Sequence, residues 1–159
     1  MSIVTTLQQC LSSVRVPYDV IEHPRTMSSL ATAHAAHIAP ARMAKCVILE
    51  DESGFLMAVL PSDARIEFGR LHALLNRHVG LATEQAVAAL FQDCEIGALP
   101  PIGPSYGMDM IVEERLLHEP DLYIEAGDHH DLVHLSQPAF ASLLGGAARM
   151  QFSRALVNV

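Results

Sequence analysis

Apolar residues recur at helical spacing along the start of the chain. Val4, Leu7, Leu11 and Val14 share one face, with Thr5 and Thr6 placed to cap it. This predicts an amphipathic helix over residues 3–14. The period then changes. Tyr18-Asp19-Val20-Ile21-Glu22-His23 reads as a short strand closed by Pro24, because the residue before a proline avoids helical geometry. Ser28 or Ser29 caps an alanine-rich helix through Ile38, and Pro40 interrupts it. Two apolar β-prone runs follow, residues 46–50 and 55–60. Asp51-Glu52-Ser53-Gly54 joins them, which predicts a hairpin with a four-residue turn.

The second half mixes the two periods. Phe68 to Leu75 predicts a helix, Val79-Gly80-Leu81 a short strand, and Thr83 the cap of a helix from Glu84 to Phe91. Gly97-Ala98-Leu99-Pro100-Pro101-Ile102-Gly103-Pro104 cannot lie inside a helix and predicts a rigid loop. Strands are expected at 108–112, 122–126 and 132–135, with Gly127-Asp128 turning between the last two. Ser136 and Pro138 open a final helix through Leu144, which Gly145-Gly146 ends. Helices and strands interleave irregularly, with no repeat, linker or low-complexity stretch. The expectation is an α+β fold in a single compact domain, residues 1–159, around a mixed sheet.

Composition narrows the class. Half of the 159 residues are hydrophobic, which argues against disorder. No apolar run approaches the roughly 18 to 20 residues of a membrane span, and Met1 to Val14 lacks the basic start of a signal peptide. Cys10, Cys46 and Cys94 are widely spaced and form no CxxC. That fits a reducing cytoplasmic setting and argues against a disulfide framework or a thiolate zinc site. The net charge of −8 excludes a generic nucleic-acid binder. The charge is uneven, however: residues 1–49 carry +2 and the remainder −10. Lys45 is the only lysine, at the mouth of the apolar run Cys46-Val47-Ile48-Leu49, so a local anion site there stays open on an acidic chain.

A nucleophilic serine is poorly supported, since no GxSxG is present. Cys46 beside Lys45 could be an activated thiol. Adjacent strand side chains face opposite ways, though, so a pocket-facing Lys45 turns Cys46 toward the core. His34 and His37 lack an HExxH and read as ordinary helix surface. Asp128-His129-His130-Asp131 is dense, but neighbours on an extended chain rarely ligate one metal. No metal or cofactor is expected. Two features remain. The stiff loop from Gly97 to Gly103 could aim backbone N–H groups at a carbonyl oxygen. The strand end Gly127-Asp128-His129 could orient a substrate or a water.

In order and spacing these residues resemble the YbaK/ProX family, free-standing relatives of the editing domain inserted in bacterial prolyl-tRNA synthetases. The resemblance rests on His23-Pro24, on Ala44-Lys45-Cys46-Val47-Ile48-Leu49, on Gly97-Ala98-Leu99-Pro100-Pro101 and on Ala126-Gly127-Asp128-His129, and covers residues 16–145. It implies a mixed, partly barrel-like sheet flanked by helices. It implies metal-independent hydrolysis in trans of the ester of a mischarged tRNA, typically tRNA-Pro carrying a small residue such as alanine. Lys45, Gly97 and His129 fall on the family's functional positions. Arg42, Cys46, Ala98, Pro100, Pro101, Gly127 and Asp128 would surround the substrate. The implied partners are the tRNA acceptor end and prolyl-tRNA synthetase, with Arg42, Arg65, Arg70 and Arg77 as candidates for the tRNA rim. Two other readings stand beside this one: a module that binds aminoacyl-tRNA, a nucleotide or a small amino acid without cleavage, and a metal hydrolase using Asp128, His129 and His130.

Overall fold

The computed structural model describes residues 3–156. In chain order the elements are α1 (Thr5–Val14), β1 (Asp19–Glu22), α2 (Ser29–Ala35), β2 (Ala44–Asp51), β3 (Gly54–Pro61), β4 (Ala64–Ile66) and α3 (Phe68–Leu75). There follow β5 (Gly80–Leu81), α4 (Glu84–Leu90), β6 (Asp109–Glu113), β7 (Asp121–Glu125), β8 (Asp131–Ser136), α5 (Gln137–Leu144), β9 (Ala148–Met150) and β10 (Ser153–Ala155). Short 3-10 turns occupy Pro40–Arg42, Gly103–Tyr106 and Glu114–His118.

The β2–β3 hairpin is the centre of a five-stranded sheet of order β5-β2-β3-β6-β9. Its β3–β6 and β6–β9 pairs are parallel and the others antiparallel, so the sheet is mixed. A second, antiparallel sheet has the order β1-β8-β7, and β4 pairs with β10. The fold is α+β, and the sheets curve past one another without closing into a barrel.

Strand alternation divides the core between the two faces of the large sheet. Ala44, Ile48, Met57, Val59, Met110 and Val112 face the larger core, which Leu7, Leu11, Phe91 and Phe140 fill from the helical side. Leu49, Leu56, Ala58 and Leu60 face a smaller core with Leu71 and Phe152. A third cluster, Ala33, Met43 and Leu132, lies under α2.

Most predicted elements form where the pattern places them, with local differences. Ser28, Thr83 and Ser136 cap their helices as expected, accepting from Ala31, Ala86 and Ala139. Thr5 and Thr6 do not cap α1; Val4 precedes it without a side-chain cap, and Thr6 instead donates to Asp93 at 2.6 Å. Asp51 pairs with Gly54, so the hairpin turn is Glu52-Ser53 alone, and Asp51 closes it by accepting from the Ser53 N–H at 2.8 Å. The second helix stops at Ala35 rather than Ile38. His37 turns left-handed (φ 58°), and the Ile38 N–H returns to the Ala33 carbonyl at 2.8 Å. Strands β4, β9 and β10 escape the pattern because each is three residues long and carries an exposed arginine.

Candidate active site

β2 and β7 meet at a single parallel bridge, Met43 to Tyr123. Among the described residues no further bridge extends it, and β5 joins β2 only at Leu49 and Glu50. One edge of β2 is therefore unpaired around Lys45 to Val47. The Ile48 carbonyl accepts from Ala82 on that side. Backbone groups of alternate strand residues point the same way, so the N–H and C=O of Cys46 face the open edge too.

The end of β7 runs beside the glycine-proline loop. The Gly127 N–H donates to the Ala98 carbonyl at 2.9 Å, and the Gly127 carbonyl accepts from Glu95 at 2.8 Å. Gly127 has φ +96°, and a Cβ there would collide with Val4, so only glycine fits. Ala98, Pro100 and Pro101 are buried and back the loop from within. Asp128 turns the chain: its Oδ1 accepts from the N–H groups of His130 (3.0 Å) and Asp131 (2.7 Å). Burial alone would raise the Asp128 carboxyl, but these donors outweigh it and the net shift is downward.

That turn delivers His129 against Gly97. Gly97 has φ +89°, and a Cβ on it would lie 3.2 Å from His129 Cε1 and 3.1 Å from the Met27 carbonyl. The imidazole is almost fully buried. Its Nε2 lies 2.8 Å from the Ile96 carbonyl, an acceptor, so Nε2 carries the proton and Nδ1 keeps a free lone pair. Nδ1 is buried and has no protein partner. Behind it, the His129 N–H donates to Glu95 at 3.3 Å, and Glu95 pairs with Arg25 at 2.5 Å. Arg25 holds the Glu95 carboxyl below its ordinary value.

Glu125 is a feature that sequence reasoning missed. It lies two residues before Gly127, is buried, and accepts from Ser29 Oγ at 2.8 Å through Oε2. Its Oε1 has no partner. Burial pushes the carboxyl up to about 8, Ser29 opposes that, and the Asp128 charge adds to it. No sequence signal marks it: strand alternation puts Glu125 on the face of Asp121 and Tyr123, away from the buried Leu122 and Ile124. Cys46 lies on the same side and packs against the large core; burial first, then Glu125 and Cys94, push its thiol up well above the ordinary value. Burial likewise pushes Cys94 up to about 12. Neither is an activated thiolate.

Lys45 points to the other face of β2. It lines an open cavity of about 230 Å³ with Val47, Leu60, Arg65, Ile66, Phe68 and Leu81. Half-buried, its ammonium is lowered by desolvation, which Asp63 opposes and Arg65 reinforces. The structure thus brings Gly97 and His129 into contact, while the cavity that Lys45 lines holds neither of them. Of the candidate rim arginines, Arg65 joins Lys45. Arg42 is engaged by Glu119 (3.1 Å) and Asp121 (3.0 Å), Arg77 by both oxygens of Asp51, and Arg70 lies 3.7 Å from Glu67. Among the described residues no group of three or more His, Cys, Asp and Glu side chains could hold a metal ion.

The model of the aminoacyl-tRNA editing domain matches residues 23–143, the span that holds all of these groups. The chain belongs to this family. No curated protein matches it. Solved structures share the editing-domain fold at low identity. The hypothetical protein APE2540 superposes with a TM-score of 0.82 at 20% identity, over 94% of this chain and 99% of its own. A structure described as a candidate trans-editing enzyme for prolyl tRNA synthetase gives 0.79 at 21%, over 94% and 96%. A protein from computational epitope grafting gives 0.81 at 20%, over 95% and 96%. The partly barrel-like arrangement of sheets here carries helices on its flanks. Among the described residues no helix is long and apolar enough to cross a membrane.

Proposed function

We propose that this editing domain acts in trans as a deacylase, hydrolysing the ester of a mischarged tRNA, with tRNA-Pro carrying alanine as the leading substrate. The observation that carries the reading is the close approach of Gly97 to the buried His129 ring, whose Nδ1 has no protein partner, together with a stretch of β2 edge that has no strand partner. An aminoacyl ester is already activated. The site need only hold it, admit water and stabilise the oxyanion. His129 Nδ1 accepts a proton or orients the water. In this reading the Cys46 N–H on the open edge and the Gly97 loop meet the ester carbonyl. Lys45 and Arg65 supply positive charge for the terminal phosphate, and the acceptor end crosses the edge of β2 between the two faces. Buried Pro100 and Pro101 stiffen the wall that limits side-chain size, because a pocket rejects added bulk better than missing methylenes. Cys46 contributes wall rather than nucleophile, and Asp128 holds the turn. Prolyl-tRNA synthetase is the natural source of such a substrate, and the reaction belongs in the cytoplasm.

The test is deacylation of alanyl-, seryl-, cysteinyl-, threonyl- and 2-aminobutyryl-tRNA by wild type and Lys45→Ala. Wild type is expected to clear at least the smallest of these with or without EDTA, and Lys45→Ala to lose more than about 100-fold in kcat/KM. Normal turnover by Lys45→Ala removes the lysine from the mechanism. Saturable binding without hydrolysis across the panel would make the protein a binding module instead.

A further inference from the structure

Strands β4 and β10 set two arginines face to face. Arg65 and Arg154 are direct partners in this antiparallel pair. The Glu67 N–H donates to the Phe152 carbonyl at 2.8 Å, and the Leu156 N–H to the Asp63 carbonyl at 2.7 Å. The residue pair midway between these is therefore of the hydrogen-bonded kind, with Cα atoms about 5.5 Å apart. Ala64 and Ser153 turn inward and are buried, which leaves both arginines on the solvent side of the ribbon. Like charges directly opposite each other repel, and the nearby carboxylates do not relieve both. Glu67 lies 3.8 Å from Arg154 Nε and 3.7 Å from Arg70 Nη1, beyond hydrogen-bond distance, and the Arg154 side chain stays 67% exposed. Among the described residues Arg65 has no carboxylate within ion-pair distance. Its charge bears on Lys45, which Asp63 partly offsets. Lys45, Arg65, Arg70 and Arg154, four of the ten basic residues, thus gather around two acids, Asp63 and Glu67, on a chain of net −8.

We infer that Arg65 and Arg154 form a clamp for one phosphodiester of a bound nucleic-acid strand, at the mouth of the Lys45 cavity. The inference rests on the reading of tRNA as substrate and deepens it by adding a binding residue, Arg154. A phosphodiester carries two non-bridging oxygens. Two guanidinium forks rooted on opposite strand positions can take one oxygen each, and the shared anion turns the repulsion of the empty pair into attraction. The cavity behind the clamp favours a strand over a lone anion. Arg65 lines it together with Lys45, a cation for a neighbouring anionic group, and with Val47, Phe68 and Leu81, apolar walls for a base. Because both arginines act on one phosphate, the clamp strengthens binding without adding to the number of phosphates neutralised.

The experiment measures the affinity of a labelled, uncharged tRNA by fluorescence anisotropy across a salt series. It compares wild type, Arg65→Gln, Arg154→Gln, the double variant and Arg154→Lys. Each single Gln variant is expected to weaken binding about 10-fold or more, the range of a charge-assisted hydrogen bond, and to lower the salt slope by about one. The double variant should bind within about threefold of the weaker single variant, because both arginines hold the same phosphate. Arg154→Lys keeps the charge without the fork and should recover the salt slope but not the full affinity. The urea midpoint of Arg154→Gln should stay at or above that of wild type, since a repulsion is relieved. Wild-type affinity in Arg154→Gln overturns the inference. So do losses in the two single variants that multiply in the double, which would mean separate contacts, and weaker binding accompanied by a lowered urea midpoint, which would make Arg154 structural. Inorganic phosphate at matched ionic strength is the remaining arm: if it displaces the tRNA at concentrations below about a millimolar, the site takes a free anion and the strand assignment fails. The binding assay needs no ester. If the variants behave as expected and no mischarged tRNA is cleaved, the clamp stands and the deacylase reading fails; if esters are cleaved and Arg154→Gln binds as wild type, the clamp alone fails.

Discussion

Gly97 and Gly127 look alike in sequence and differ in what a methyl group would do. Both have positive φ, a region that side chains resist. At Gly97 the added Cβ presses at 3.1–3.2 Å on the Met27 carbonyl and the His129 ring, which are able to give by tenths of an ångström. Gly97→Ala should therefore cost about 1–2 kcal/mol and reduce deacylation by more than its stability loss explains, because it displaces the imidazole. At Gly127 the Cβ runs into the branched Val4 side chain, so Gly127→Ala should cost more, about 3 kcal/mol or above. Urea unfolding of the two variants checks the order. A smaller cost at Gly127 would refute this account of the turn. Glu125 makes a second prediction at this scale. Its folded value, about 8, lies above the ordinary carboxylate range, so the folded state binds the extra proton. Its cost to stability is absent below about pH 4, grows as pH rises through the unfolded value, and levels off above about pH 8. The titratable groups near it are Asp128, whose charge acts on it, and Cys46, on which its own charge acts. Glu125→Gln should flatten the decline in stability between pH 5 and 8, measured by urea midpoints across that range. An unchanged slope would mean that another group sets it.

At the scale of elements, α2 is the weak link on which the site depends. It has seven residues, too few to hold itself as a helix, and it delivers Ser29 to Glu125 while the segment before it lays Met27 on Gly97. Its cap is Ser28, whose Oγ accepts from the Ala31 N–H at 3.1 Å. Ser28→Ala should cost about 1 kcal/mol and lower kcat/KM without touching the substrate; a full-length Ser28→Thr protein should restore both. The capped helices, the hairpin and the strands around the site were legible in sequence because each has its own local signal. Ser28, Thr83 and Ser136 stand where caps belong, and β2 and β3 are continuous apolar runs. What was not legible depends on contacts between distant segments. Nothing local marks that β2 and β7 part after Met43 and Tyr123, which opens the edge where the site lies. Glu125 resembles any strand residue until Ser29 is folded over it. Arg25 and Glu95, 70 positions apart, acquire a purpose only when both lie behind His129. The lysine was legible as a lone cation, and the alternation of β2 separated it from Cys46; that it would share a cavity with Arg65, lined by neither Gly97 nor His129, required the fold.

At the scale of the whole molecule, charge decides how tRNA is held. The protein carries −8, so most of its surface repels a polyanion, and binding has to be local. Among the candidate rim cations, Arg42 and Arg77 are spent on carboxylates, whereas Lys45 and Arg65 share one open cavity. Two cations neutralise at most two phosphates. The logarithm of the tRNA association constant should therefore fall against the logarithm of salt concentration with a slope of about −1 to −2, far shallower than for a protein that tracks a backbone. Lys45→Ala should reduce the slope by about one, Arg65→Ala by a similar amount, and Arg77→Ala by almost nothing, since Asp51 already neutralises it. Fluorescence anisotropy with a labelled tRNA between 50 and 200 mM salt, a range that spans physiological ionic strength, measures all three. A slope steeper than about −4 would show that further arginines engage, and the acceptor-end mode of binding would then have to give way to a broader docking surface. If the slope is shallow but insensitive to Lys45, the phosphate lies elsewhere, and the ammonium acts on the ester itself.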